Sequence, residues 1–150
     1  MHLVHRKDGL TADESTSTER GLAVIGIFFE IDQDAEHVDE DIATIIHNVV
    51  HVREPGSVAN EGPITIKNLL PSDTSSFWRY DGSLTTPGCN EVVWWTVFAV
   101  PNNKMTELQH VEISKGLDTA VIGTEEHKPL THNFRPTQPL NGREVQFRGL

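Results

Sequence analysis

A mainly β fold of the α+β class, with strands and short helices around one large sheet, is what the sequence predicts. Three observations carry it: two nearly continuous apolar runs of strand length, one amphipathic helix between them, and short strand-like segments set apart by turn signals.

Residues 1–5 alternate as a short strand does, and Lys7 to Arg20, polar and rich in Ser and Thr, reads as a loop. Gly21 to Ile31 is almost continuously apolar and rich in β-branched and aromatic residues, which predicts a central strand buried on both faces. From Glu36 to Val52 the residues Ile42, Ile45, Ile46, Val49 and Val50 recur at helical spacing, and Pro55-Gly56 follows as a stop. Ile64 to Leu70 reads as a short strand, and Phe77 to Tyr80 as another before the turn signal Asp81-Gly82. Glu91 to Val100 is the second buried-strand candidate, closed by Pro101. Thr106 and Gln109 fit a capping box that opens a helix through about Lys115, with Gly116 as its stop. Little regular structure is expected after it until Glu144 to Phe147.

The length of 150 residues suits one domain, able to bury roughly 70% of the unfolded surface. Twelve Lys and Arg against 22 Asp and Glu give a net charge of −10, and no basic run interleaves with aromatics. That balance excludes the electrostatic footprint of a nucleic-acid or anionic-membrane binder. Cys89 is the only cysteine, so neither an internal disulfide framework nor a Cys-rich metal site is available. Residues 1–5 show no secretory leader pattern, and no apolar run nears the ~20 residues needed to cross a bilayer.

Eight histidines raise the question of a metal. His47 and His51 are spaced i, i+4 on the helix but point away from its apolar stripe, and no Glu follows His47 as in HExxH; a solvated helix face and a metal pair are the two readings. His37, His110, His127 and His132 stand isolated, as surface histidines do. His2 and His5, three apart on a strand, face opposite sides, so His2 shares its face with Val4. A histidine flanked by a small apolar side chain suits a metal beside a pocket for a nonpolar gas; a satisfied core histidine is the alternative. Ser83 to Cys89 carries Thr85 and Thr86 before Pro87. This is either a turn with hydroxyl-to-backbone bonds or a loop whose threonine orients a metal-bound hydroxide.

Four blocks in order, Met1-His2-Leu3-Val4-His5, Gly21 to Gly26, Tyr80 to Pro87 followed by Trp95, and Asn133-Phe134-Arg135-Pro136 with Gln138 to Arg143, resemble the alpha carbonic anhydrases. The resemblance runs from Met1 to about Phe147, so residues 1–150 are expected to form a single partial domain of that fold. It implies a large, mostly antiparallel sheet with its N-terminal part missing. By the same resemblance the cofactor is Zn2+, His2 is its third ligand, and the other two form a His-x-His pair upstream. Thr85 orients the zinc-bound hydroxide, Thr86 lines the substrate site, and Val4, Val24, Leu84 and Trp95 wall the pocket for carbon dioxide.

The implied reaction is the reversible hydration of carbon dioxide to bicarbonate and a proton. No His-x-His occurs in these residues, so the chain alone is expected to be inactive, and the proton shuttle and the glutamate partner of Thr85 are expected upstream. A noncatalytic, carbonic-anhydrase-related binding module is the alternative. Arg6 stands where many members carry tryptophan, and Gly88 where a second proline is common. Cys89 stands where secreted members place half of a disulfide, its partner upstream, which points to a secreted parent, with a cytoplasmic one as the alternative.

Overall fold

Strand pairing in the computed structural model follows the apolar runs. The structure describes residues 1–34, 40–49, 51–52, 55–59, 62–100, 103–115, 118–120, 127–130 and 132–149. They divide into two compact units, one of Met1–Phe29, Pro71–Asn103 and Phe134–Leu150, the other of Glu30–Leu70 and Lys104–Asn133.

The first unit is built on a five-stranded sheet from β1 (His2–Arg6), β2 (Leu22–Gly26), β4 (Phe77–Gly82), β5 (Val93–Phe98) and β9 (Gln146–Arg148), in the order β1-β2-β5-β4-β9. The pairs β1/β2, β4/β5 and β4/β9 are antiparallel, and only β2/β5 is parallel. The sheet is thus mostly antiparallel, in a mainly β architecture, as expected. Its core is Leu22, Val24, Val92, Val93 and Trp95, against which Tyr80, Leu84 and Val97 pack.

The run from Gly21 to Ile31 is not one strand buried on both faces. β2 ends at Gly26, β3 begins at Phe29, and within β2 only Leu22, Val24 and Gly26 are buried while Ala23 is exposed. The other face is open to solvent and carries charge: the Arg20 and Arg79 guanidiniums lie 4.3 and 5.1 Å from the ring centroid of Trp94, which pairs with Ala23. The second run behaves likewise, with Val93 and Trp95 buried and Trp94 exposed. Nor does Asp81-Gly82 turn the chain. Gly82 continues β4, paired with Val93, and is glycine because a Cβ there would lie 2.8 Å from Trp95 Cδ1 and 3.0 Å from Tyr80 Cε2.

The stretch read as a loop from Lys7 holds a short helix, α1 (Ala12–Ser15). Thr11 and Glu14 close a capping box around it: Glu14 Oε2 accepts from the Thr11 N–H at 2.8 Å, and Thr11 Oγ1 accepts from the Glu14 N–H at 3.3 Å.

In the second unit, α2 (Glu40–Val49) buries Ile42 and Ile46 and half-buries Ile45 and Val49. Residues 35–39 and Val50, part of the expected helix, lie outside the described residues, as do His37, Pro101 and Gly116. Since Ile46 is 2% exposed, Ile46→Val should lower unfolding free energy by about 0.5–1.5 kcal/mol in a denaturant titration. Ile45→Val, half-buried on the same helix, should cost less.

Ile64 to Leu70 is not a strand but holds a 3-10 turn, Ile66–Leu69, closed by i to i+3 bonds from Asn68 N to Thr65 O and from Leu70 N to Lys67 O. Only Leu69 in the turn is buried, so the alternating pattern there does not report a sheet face. β3 (Phe29–Ile31) pairs with β6 (Asn103–Met105), and Lys104 Nζ meets Asp32 Oδ2 at 2.6 Å. α3 (Glu107–Lys115) carries the expected box, with Thr106 N donating to Gln109 Oε1 at 2.9 Å and Gln109 N to Thr106 Oγ1 at 3.2 Å. Two short antiparallel strands, β7 (Asp118–Ala120) and β8 (His127–Pro129), occupy the stretch expected to be irregular.

Candidate functional site

The row of side chains that crosses the first unit's sheet at Val4 is set by register alone. Val4 pairs with Val24, Val24 with Trp95, and Trp95 with Tyr80, so all four share one face. Along that row exposure falls from 60% at Val4 to 2% at Val24 and 5% at Trp95. The Tyr80 and Trp95 rings stack with centroids 6.2 Å apart.

His2 stands one row away on the same face, paired with Gly26, which pairs with Val97. Two strand spacings, roughly 9–10 Å, separate β1 from β5. Because Gly26 places no side chain between them, the His2 imidazole reaches the Trp95 indole edge-on, with ring centroids 4.8 Å apart. Partial burial pushes the His2 imidazole below its ordinary value. His5 faces the other way, its Nδ1 3.1 Å from Leu3 O.

The segment Ser83–Asn90 is pinned at both ends beside this face. The Trp95 indole N–H donates to Ser83 O at 3.0 Å, Leu84 N donates to Asn90 O at 3.0 Å, and Asn90 Nδ2 donates to Thr16 O at 2.9 Å. Leu84 packs on the core, whereas Thr85 and Thr86 are exposed at the tip. Gly88 and Cys89 turn the chain with φ of 102° and 47°, and Cys89 N donates to Thr86 O at 3.0 Å. Cys89 is a free thiol, so the disulfide expected of it would require a cysteine outside these 150 residues.

The C-terminal block ties down the same loop. Arg135 Nη1 donates to Ser83 Oγ, and Arg143 donates to Leu140 O, Pro139 O and Asp81 O. Asp81 also takes a bidentate pair from Arg20, 2.8 Å to each oxygen, which holds its carboxyl below the usual range. The links from Arg135 to Ser83, Arg143 to Asp81 and Arg20 to Asp81 escape a reading of the sequence for chemistry, because each joins residues more than fifty positions apart. The signal for Gly26 and Gly82 was present: a glycine inside a strand marks a close approach.

The structure therefore brings His2, Val4, Val24 and Trp95 onto one face and packs Leu84 on the core behind it. Among the described residues no group of three His, Cys, Asp or Glu is gathered for a metal, and no helix is long and apolar enough to cross a membrane.

The sequence matches the eukaryotic-type carbonic anhydrase family over residues 1–149. It is 37% identical over 148 residues to a Caenorhabditis elegans protein with a provisional carbonic anhydrase 5 name, covering 99% of this chain and 45% of that one. Carbonic anhydrase 6 of Mus musculus is 34% identical over 153 residues, covering 97% and 44%. Carbonic anhydrase 12 of Homo sapiens is 34% identical over 155 residues, covering 97% and 40%. The chain spans less than half the length of these relatives. With its mixed, mainly antiparallel sheet and a match over almost every residue, the chain belongs to the eukaryotic-type carbonic anhydrase family.

Proposed function

We propose that residues 1–150 are one partial domain, the C-terminal part of a zinc-dependent carbonic anhydrase that interconverts carbon dioxide and bicarbonate. The observation that carries this reading is the His2 imidazole set edge-on against Trp95, on the face where Val4, Val24 and Trp95 line up in register.

The donor chemistry fits one corner of a three-histidine zinc site, since an imidazole on this face supplies one nitrogen ligand and its Trp95 neighbour holds the ring in place. The other two ligands belong, on this reading, to sequence preceding these residues. Zinc, when bound, supplies the Lewis acidity that makes water a nucleophile at neutral pH.

The chain's own residues do the rest. Trp95 fixes the plane of the His2 ring, as a ligand's packing neighbour must. The Thr85 hydroxyl accepts a hydrogen bond from the attacking oxygen and donates its own hydrogen elsewhere, which leaves a lone pair of that oxygen aimed at carbon. Thr86 lines the position that bicarbonate takes. Val4, Val24, Leu84 and Trp95 hold carbon dioxide by dispersion, a match for a small molecule without a dipole.

The test is to express the chain together with the sequence that precedes it in its own transcript, then measure zinc retained after dialysis and carbon dioxide hydration by stopped flow. Both should be present, and both should fall sharply in His2→Ala, while residues 1–150 alone show no hydration. An active extended protein whose zinc and rate ignore His2→Ala would overturn the assignment.

A further inference from the structure

The second unit carries a pair of histidines that this chemistry does not use. His47 lies in the last turn of α2 and His51 just beyond it, and both are exposed. Spaced i, i+4, they stand on one side of the helix, away from the buried Ile42 and Ile46. Their Nε2 atoms are 3.3 Å apart, and their rings meet edge to face with centroids at 4.9 Å.

We propose that His47 and His51 form a peripheral, two-imidazole site for a tetrahedral divalent metal ion of the zinc type. The argument is the bite. Two imidazole nitrogens, each about 2.0–2.1 Å from a tetrahedral zinc, stand roughly 3.3–3.4 Å apart, whereas a right-angled pair at that bond length stands roughly 2.9 Å apart. The observed separation lies close to the tetrahedral bite, so a zinc-type ion is seated with little movement of either ring. The position favours a cation a second time, because the C-terminal end of a helix carries its partial negative charge.

Among the described residues no third His, Cys, Asp or Glu completes a cluster with this pair. Metal uptake requires that both Nε2 lone pairs face the ion, so a hydrogen carried on either Nε2 must move to Nδ1 or to solvent.

The experiment is zinc titration of the full chain by equilibrium dialysis, with His47→Ala, His51→Ala, the double variant and His2→Ala. Each single variant should weaken one class of zinc binding by about tenfold or more, because a chelate loses its second, effectively intramolecular contact. The double variant should lose little beyond that, and His2→Ala should leave this class intact, which separates the site from the catalytic assignment. In the unmodified chain, NMR should show the His47 and His51 ring signals moving together with zinc. Zinc binding that is unchanged in both single variants, that follows only one of the two histidines, or that vanishes in His2→Ala would overturn the proposal.

Discussion

Replacing Trp95 with alanine is expected to destabilise the first unit by about 3–5 kcal/mol, a large share of the roughly 5–15 kcal/mol that holds a typical domain folded. The side chain is 5% exposed and does three jobs at once. It fills the sheet face between Val24 and Tyr80, meets the edge of His2, and anchors Ser83 O through its indole N–H. Trp95→Phe separates these, since it keeps most of the packing and drops the hydrogen bond, at a net cost nearer 1 kcal/mol from that bond. Denaturant titrations followed by far-UV circular dichroism check both. A Trp95→Ala midpoint indistinguishable from the parent would mean that the indole is not the centre of this core.

Gly21→Ala is the second large effect, through overpacking. A Cβ at Gly21 would lie 2.3 Å from Ser15 O and 2.9 Å from Thr18 O, both of them backbone. Neither can yield by rotating a side chain. Gly21 N donates to Thr18 O at 2.8 Å, Lys7 N donates to Gly21 O at 2.9 Å, and Ser15 is 2% exposed. The cost should therefore reach or exceed the top of the usual range of about 1–3 kcal/mol. Gly9→Ala is the control: nothing lies within 4 Å of its Cβ, and only its φ of +79° opposes the change, at about 1–2 kcal/mol. Equal losses for the two variants would show that the turn after α1 relaxes.

What was legible in the sequence is what local periodicity and capping dictate. β2, β5, α2 and the Thr106–Gln109 box fall where the pattern places them, and the shared face of His2 and Val4 follows from a period of two. The errors arise where a local pattern had a nonlocal cause. Ala23 and Trp94 looked like core but lie on an exposed face, where Arg20 and Arg79 stack on the Trp94 ring. Thr11-Ala12-Asp13-Glu14 carried a capping box that its polar setting concealed, and Ile64 to Leu70 alternated without joining a sheet. The resemblance gave His2 and Trp95 separate roles, and their meeting was not legible, because it depends on Gly26 being opposite His2 and on β2 lying beside β5.

That parallel contact between β2 and β5 also orders events in time. β4 and β5 are close in sequence and pair antiparallel, so their loop closes at modest entropic cost and early. β2 must find β5 across the long stretch from Gly26 to Val93, a closure made slower by its length, whereas β1 and β2 are near in sequence and pair antiparallel ahead of it. His2 and Trp95 lie on opposite sides of that long closure, so their ring contact forms only when the slowest of these pairings does.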